Sequence, residues 1–283
     1  MTLLEDRPQA EATPVEHVAT RRRYLMCEPR HFAVEYAINP WMDPTVPVDR
    51  DLAVRQWRAL ADTYRRLGHH VEEIEPVEGL PDMVFAANGA TVARGRVYGA
   101  RFKYAERVPE GPAYLGWFKD AGYRVTHEPA YVNEGEGDLL VAGDLLLAGT
   151  GFRTDPAAHV EAAEVLGLKA VTLRLINPHY YHLDTALCVL SERDIAYFPG
   201  AFDAESQAVL RELFPNAIIA DADDAKVLGL NAVSDGRHVV LPLEAVELAK
   251  KLTARGYQPV PVSLSELRKA GGGPKCCTLE LRS

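Results

Sequence analysis

Pairs of short apolar runs, each pair joined by a polar turn, recur along the chain: VFAANGATVARGRVYGARF at 84–102, DLLVAGDLLLAGT at 138–150, ALCVLSERDIAYFP at 186–199 and NAVSDGRHVVLP at 231–242. Runs of this length around a polar turn predict β-hairpins. Their turns fall near Gly95, Gly143, Arg193 and Asp235, between 42 and 50 residues apart, which is an internal period. A helical pattern and then one more strand follow each hairpin: RVPEGPAYLGWFKDAG before YRVTHEP, DPAAHVEAAEVLG before LKAVTLRL, DAESQAVLRELF before NAIIAD, and PLEAVELAKKLTARG before YQPVPVSL. Most of these helices stop at glycine, the residue that best forms a left-handed cap. A fifth helix, VDRDLAVRQWRALADTYRRLG at 48–68, leads into HHVEEIEP.

The hairpin missing from that fifth unit can be assembled from the two ends of the chain, YLMCEP at 24–29 and a terminal strand CTLELR at 277–282. Pairing the ends would close the array and remove exposed sheet edges. The pattern therefore predicts an α/β propeller of five pseudo-symmetric ββαβ modules. An open α/β sheet is the alternative. Residues 1–23 read as a flexible lead-in and 24–283 as a single domain.

Composition changes this picture little. The chain has 283 residues, 47% of them hydrophobic, enough for a substantial core. A net charge of −9 and the lack of a basic stripe argue against nucleic acid as a partner. The one basic run, Arg21 to Arg23, reads as a solvated lead-in. The first 20 residues hold acids and prolines without a continuous apolar stretch, so neither a targeting peptide nor a membrane partner is read from them. Four cysteines in so long a chain do not make a disulfide framework and suit a reducing cytoplasm. His179 and His182 lie three apart but lack further cysteine or histidine partners at ligand spacing, so no metal and no cofactor is read. Nothing in the pattern excludes a homo-oligomer.

The period also locates chemistry. Equivalent modules bring the residues at the entrance of each first strand to a shared axis: Asn88, the acidic stretch NEGEGD at 133–138, His182 with Asp184, Asn231 and Cys276. Each has an ordinary explanation alone, since asparagines serve turns, aspartates cap backbone and a lone cysteine packs as a small apolar residue. Together they offer a nucleophile, a base and carboxylates around one cavity. The run GGGPKC at 271–276 carries the cysteine in on a glycine hinge, which lets backbone approach a bound ligand closely.

In order and combination, VFAAN at 84–88, EGEGD at 134–138, GTGFRT at 149–154, HLDT at 182–185 and GGGPKC at 271–276 resemble the guanidino-group modifying superfamily. This is the pentein fold of arginine deiminases, dimethylarginine dimethylaminohydrolases, arginine dihydrolases and glycine amidinotransferases. The resemblance spans residues 24–282. It implies that Cys276 is the nucleophile, His182 the general acid and base, and Asp184 a carboxylate that holds the guanidinium, with Lys275 available to favour the thiolate. Arg153 would clamp an α-carboxylate and Arg107 would be a second clamp. The family writes EGGD where this chain has EGEGD, which leaves Glu134 and Glu136 as alternatives for orienting His182, with Asp138 beside them.

The expected partner is a small guanidino compound. Asn88 favours arginine dihydrolase, which takes arginine to ornithine, ammonia and carbon dioxide, because an amide both donates and accepts and can hold a neutral urea. Dimethylarginine dimethylaminohydrolase or arginine deiminase, stopping at citrulline, is the alternative. An amidinotransferase and a non-catalytic binding protein are further ones.

Overall fold

The computed structural model describes residues 17–283. Five three-stranded sheets follow one plan. In each, a short first strand pairs antiparallel with a second, and the second pairs parallel with a third. Strands β3 (Ala90–Ala93), β4 (Arg96–Gly99) and β5 (Val125–His127) make one sheet, and β6 (Leu139–Ala142), β7 (Leu145–Thr150) and β8 (Lys169–Arg174) the next. Strands β9 (Leu187–Val189), β10 (Ile195–Tyr197) and β11 (Ile218–Ile219) follow, then β12 (Val233–Ser234), β13 (His238–Pro242) and β14 (Gln258–Val262).

The remaining sheet joins the chain ends: β15 (Leu279–Glu280) lies antiparallel to β1 (Arg23–Cys27), with Tyr24 opposite Glu280, and β1 lies parallel to β2 (His70–Ile74). The five modules and their hairpins are those the periodicity predicts.

Helices α1 (Arg50–Arg66), α2 (Glu110–Asp120), α3 (Pro156–Leu166) and α4 (Ala204–Leu213) each link the second strand of a module to its third. A short α5 (Ala222–Lys226) precedes β12, α6 (Val246–Ala254) connects β13 to β14, and a single turn, α7 (Ser265–Arg268), precedes the glycine run. Aspartates start four of them, since Asp49, Asp155, Asp203 and Asp221 accept backbone N–H groups at the first turns of α1, α3, α4 and α5. Short α5 and α7 carry too few residues to register in the pattern of the sequence.

Closure takes the form expected of propeller blades. The five sheets are separate, so the ring is not one continuous ladder. It is held by contacts between neighbouring first strands, in the order β15, β3, β6, β9, β12, and by apolar clusters wedged between modules. Leu147 and Leu173 pack with Ile195, Tyr197 and Leu210 of the next module, and Leu25 and Leu279 pack with Val92 and Val97. Asn231 completes the circuit by bonding to the backbone and the thiol of Cys276.

Two boundaries move. The terminal strand is only two residues long, and Cys276 and Cys277 precede it in a tight turn closed by bonds from Cys277 N to Gly273 O and from Thr278 Oγ1 to Pro274 O. The lead-in is packed from His17 onward: its ring stacks on Tyr257, Thr20 N donates to Asp235 O, and Arg22 pairs with Glu280. Arg21 to Arg23 are thus anchored against the body rather than simply solvated, and residues 1–16 lie outside the described residues. Among the described residues no helix is long and apolar enough to cross a membrane.

Candidate active site

The polar residues sit on five turns that lead into the first strands, so all of them meet at one end of the ring. Turns at Ala86–Gly89, Gly135–Gly137 and Leu183–Thr185 carry Asn88, the acidic stretch and Asp184. Asn231 follows Leu228, whose φ of 58° turns the chain toward β12, and Cys276 lies on the turn before β15.

Cys276 is 2% exposed, and its thiol donates to Asp184 Oδ2 at 3.3 Å while accepting from Asn231 Nδ2 at 3.0 Å. Asn231 Oδ1 also accepts from Cys276 N, and its amide donates to the backbone O of Asp184, so one asparagine ties the thiol to the turn that bears Asp184. Burial first, and the Asp184 carboxylate second, push the thiol well above its ordinary value. Burial likewise raises Asp184 to about 7 despite Lys275 nearby, and its Oδ1 is buried without a hydrogen-bond partner.

His182 shares a 2.7 Å hydrogen bond through Nε2 with Glu134 Oε2, and that oxygen also receives Arg153 Nη1 at 2.7 Å. Burial opposes ionisation of Glu134, but Arg153 and His182 prevail and hold it well below the usual carboxylate range. Glu134 is therefore an acceptor, Nε2 carries the proton, and Nδ1 is buried with no partner.

Glu136 is placed elsewhere: it takes Lys275 Nζ at 2.7 Å, Glu280 N at 3.0 Å and the Arg282 guanidinium, fastening the chain end. The extra residue of EGEGD thus separates a carboxylate on the histidine from one on the ring closure. Lys275 points to Glu136 and Thr278 O, with no bond to Cys276. Asp138 is engaged by Thr154 Oγ1 at 2.7 Å and Leu183 N at 3.0 Å, with burial raising it to about 6, so it props the His182 turn from behind.

Arg107 is buried, held bidentate by Glu110 at 2.9 and 2.8 Å, and donates to Asn88 Oδ1 at 2.9 Å. Asn88 Nδ2 donates to Glu134 O at 3.3 Å. Arg153 lies between the rings of Tyr104 and Tyr181, each 4.6 Å from its guanidinium carbon, and donates to Ile38 O.

Several known proteins are similar to this chain in sequence or in fold. A dimethylarginine dimethylaminohydrolase of Mycobacterium tuberculosis is 54% identical over 269 residues, covering 95% of this chain and 89% of that protein. The chain belongs to the guanidino-group hydrolases of the pentein fold. The bifunctional arginine dihydrolase/ornithine cyclodeaminase AgrE of Nostoc sp. is 38% identical over 93% of the chain, which spans 38% of that longer protein. The substrate-bound N-terminal domain of ArgZ, a cyanobacterial arginine dihydrolase, matches with a TM-score of 0.89 at 37% identity, over 93% of this chain and 98% of that one. No family model matches the chain.

The cavity of this guanidino hydrolase, which acts on carbon–nitrogen bonds, also includes residues that no repeat in the sequence marks. Cys276, Asn88, Arg107 and Arg153 line a cavity of only about 10 Å³ together with Asp82, Tyr181, Phe85, Ile38, Asn39 and Met42. Asp82 accepts from Tyr36 at 2.9 Å, and burial raises it despite Arg107. The sequence signal for it was a lone acid in the apolar run that leads to Asn88. The segment 36–42 has no regular structure to betray it, yet Asn39 and Trp41 fasten it over the site through Ala270 O and His179 O.

The glycine run lines the cavity at Gly271 and is also needed for packing around the site. A Cβ on Gly272 would stand 2.0 Å from the Phe85 ring, and one on Gly273 would stand 2.8 Å from Asn231 Oδ1. Backbone therefore closes on site side chains there. Among the described residues no cluster of histidine, cysteine and acids is arranged to hold a metal.

Proposed function

We propose that this hydrolase converts arginine to ornithine, two ammonia and carbon dioxide through two rounds of attack by Cys276. A guanidinium carbon is a weak electrophile because resonance spreads its charge, so the reaction needs a thiolate and carboxylates that hold the group flat. Asp184 and Asp82, both buried, supply those carboxylates. Arrival of the substrate cation beside Cys276 offsets the anionic surroundings that keep the thiol protonated.

The Cys276 thiol gives its proton to His182 Nδ1 as its sulfur bonds to the guanidinium carbon, and Nδ1 passes that proton to the departing amine as the carbon–nitrogen bond breaks. A water that gives its proton to His182 adds to the thioether carbon, and the carbon–sulfur bond breaks to leave a urea as His182 returns the proton to the sulfur. In the second round the sulfur attacks the urea carbon, ammonia leaves, and water releases a carbamate that breaks down to ornithine and carbon dioxide. Glu134 holds the imidazole in position and stabilises its charged form. Acid–base help of this kind supplies about 10² to 10⁴ in rate. Arg153, stacked between two tyrosines with its Nε unengaged, is the clamp for an α-carboxylate, and Arg107 supports Asn88.

Asn88 carries the choice of reaction. Its Oδ1 accepts from Arg107 and one amide hydrogen goes to Glu134 O, so the second hydrogen of Nδ2 remains to donate to the oxygen of a neutral urea. A carboxylate at this position offers acceptors alone and suits only the first, cationic substrate. The 54% identical relative favours a second reading, in which N-methylated arginine is converted to citrulline and released. Four buried free cysteines suit a reducing compartment such as the cytoplasm for either activity.

Amino-acid analysis distinguishes the two. Given arginine, the protein is expected to release ornithine and about two ammonia per substrate, by the stoichiometry of two hydrolyses, and to consume added citrulline; Asn88→Asp stops at citrulline. If methylated arginine becomes citrulline and added citrulline is untouched, the dihydrolase reading is wrong.

A further inference from the structure

A cavity much larger than the one at Cys276 lies elsewhere in the ring. It measures about 830 Å³ and is lined by the hairpin turns, at Arg94, Gly143, Arg193 and Gly236, and by the terminal Arg282. Each first strand runs from a site turn to one of these hairpin turns, so the cavity lies at the opposite end of the pseudo-fivefold axis. Its volume falls within the range of small-molecule sites, about 300–1,000 Å³.

Its charge sets it apart from the rest of the protein. In a chain of net charge −9, seven lining side chains are lysine or arginine against two glutamates, Glu192 and Glu280. The inner wall is a partly buried charge layer in which Glu136 and Glu280 face three cations: Lys275 on Glu136 at 2.7 Å, Arg282 on Glu280 at 2.7 Å and also on Glu136, and Arg22 on Glu280 at 3.2 Å. Two carboxylates cannot balance three cations, and the imbalance falls on Arg22. Its Nε is buried and has no hydrogen-bond partner, an uncommon condition for a guanidinium nitrogen. At the mouth, Arg193 is exposed and makes no ion pair among the described residues. Low-dielectric walls lined with one sign of charge concentrate the opposite ion.

We propose that this rear cavity binds a small multivalent oxyanion of the phosphate-ester or polycarboxylate class, with Arg22 as its inner ligand and Arg193 at its mouth. The arginine run at 21–23 then has a use that the catalytic end does not give it. The acids of residues 1–16, Glu5, Asp6, Glu11 and Glu16, are the rival occupant, because the chain reaches the cavity at His17.

Titration calorimetry of the full chain with inorganic pyrophosphate at low ionic strength is the test. One site is expected, weakening with salt. Arg22→Gln should weaken it about tenfold or more, as loss of a charge-assisted contact does, and exposed Arg193→Ser should weaken it several-fold while the circular dichroism spectrum is unchanged. Arg153→Ala, which alters the catalytic end, should leave pyrophosphate affinity as it was. Absence of binding, equal affinity in Arg22→Gln and Arg193→Ser, or loss of binding in Arg153→Ala would overturn the proposal. Binding that emerges only after deletion of residues 2–16 would also overturn it, by assigning the cavity to the chain's own acidic segment.

Discussion

Cys276 sits in surroundings that oppose its ionisation, and the same burial holds Asp184 near a pKa of about 7. Cys276→Ser is expected to abolish turnover with the fold intact, because an alcohol is far less acidic and no other group activates it. Cys277, in the same turn, packs in the apolar cluster with Tyr64 and Trp57, so Cys277→Ser should keep turnover within a few-fold. Labelling by an electrophilic amidine, read by mass spectrometry, should fall on Cys276, and label confined to Cys277 would refute the assignment. Asp184 also makes a statement about stability. Its folded pKa is raised above the ordinary 3.9 or so of an aspartate, so between about pH 4 and 7 the native state binds the extra proton, and stability falls as pH rises through that window. Asp184→Asn removes the ionisation. It should therefore melt higher than the wild type at pH 8, by roughly 2–4 kcal/mol from a shift of this size, and close to it at pH 4. A gain of equal size at both pH values would show that Asp184 is not the buried acid responsible.

Turns rather than strands carry the site, which sets how far each part was legible. Asn88, Glu134, His182, Asp184, Asn231 and Cys276 were readable because a repeat puts equivalent turns at one end of a ring, and because their residue types fit one reaction. Asp82, Tyr181 and the segment 36–42 were not. Their positions follow from tertiary packing, and nothing periodic in the sequence marks a loop folded across a cavity. Glu134 and Glu136 could not be told apart for a related reason: a single added residue in a turn rotates successive side chains by an amount that depends on its φ and ψ, not on spacing. The glycine run was found, but its purpose depends on Phe85, 187 residues away in the sequence. Gly272→Ala tests that purpose. A methyl group 2.0 Å from the Phe85 ring must displace the ring or the turn that bears Cys276. Turnover should fall at least tenfold, with a stability loss of about 1–3 kcal/mol typical of overpacking. Gly272→Ala combined with Phe85→Leu should recover part of both, whereas no recovery would mean the glycine is needed for another reason.

Ring closure operates on the whole molecule, and it was legible because the fifth hairpin was missing from the interior of the sequence and its halves were present at the ends. The physical form of closure is the one expected of propeller blades, separate sheets that meet through side chains. The structure joins the ends by Tyr24 opposite Glu280 and Leu25 opposite Leu279, buries Leu279 and Leu281 among Val92, Val97 and Met83, and ties Arg282 to Glu136. Deleting residues 279–283 leaves β1 as an unpaired edge, removes two buried leucines whose burial contributes about 1.5–3 kcal/mol each, and leaves Glu136 buried with Lys275 as its one remaining cation. For a domain of this size those losses lower the melting temperature by about 10 °C or more. Activity should fall with them, because the turn that presents Cys276 is anchored at its far side by Thr278 and β15. Arg282→Gln separates the contributions: it removes the ion pairs, keeps the strand, and should lower the melting temperature by less than half of the full deletion. Thermal denaturation of both variants decides the matter, and a deleted chain that melts with the wild type would mean that the ring is held by its inter-module clusters alone.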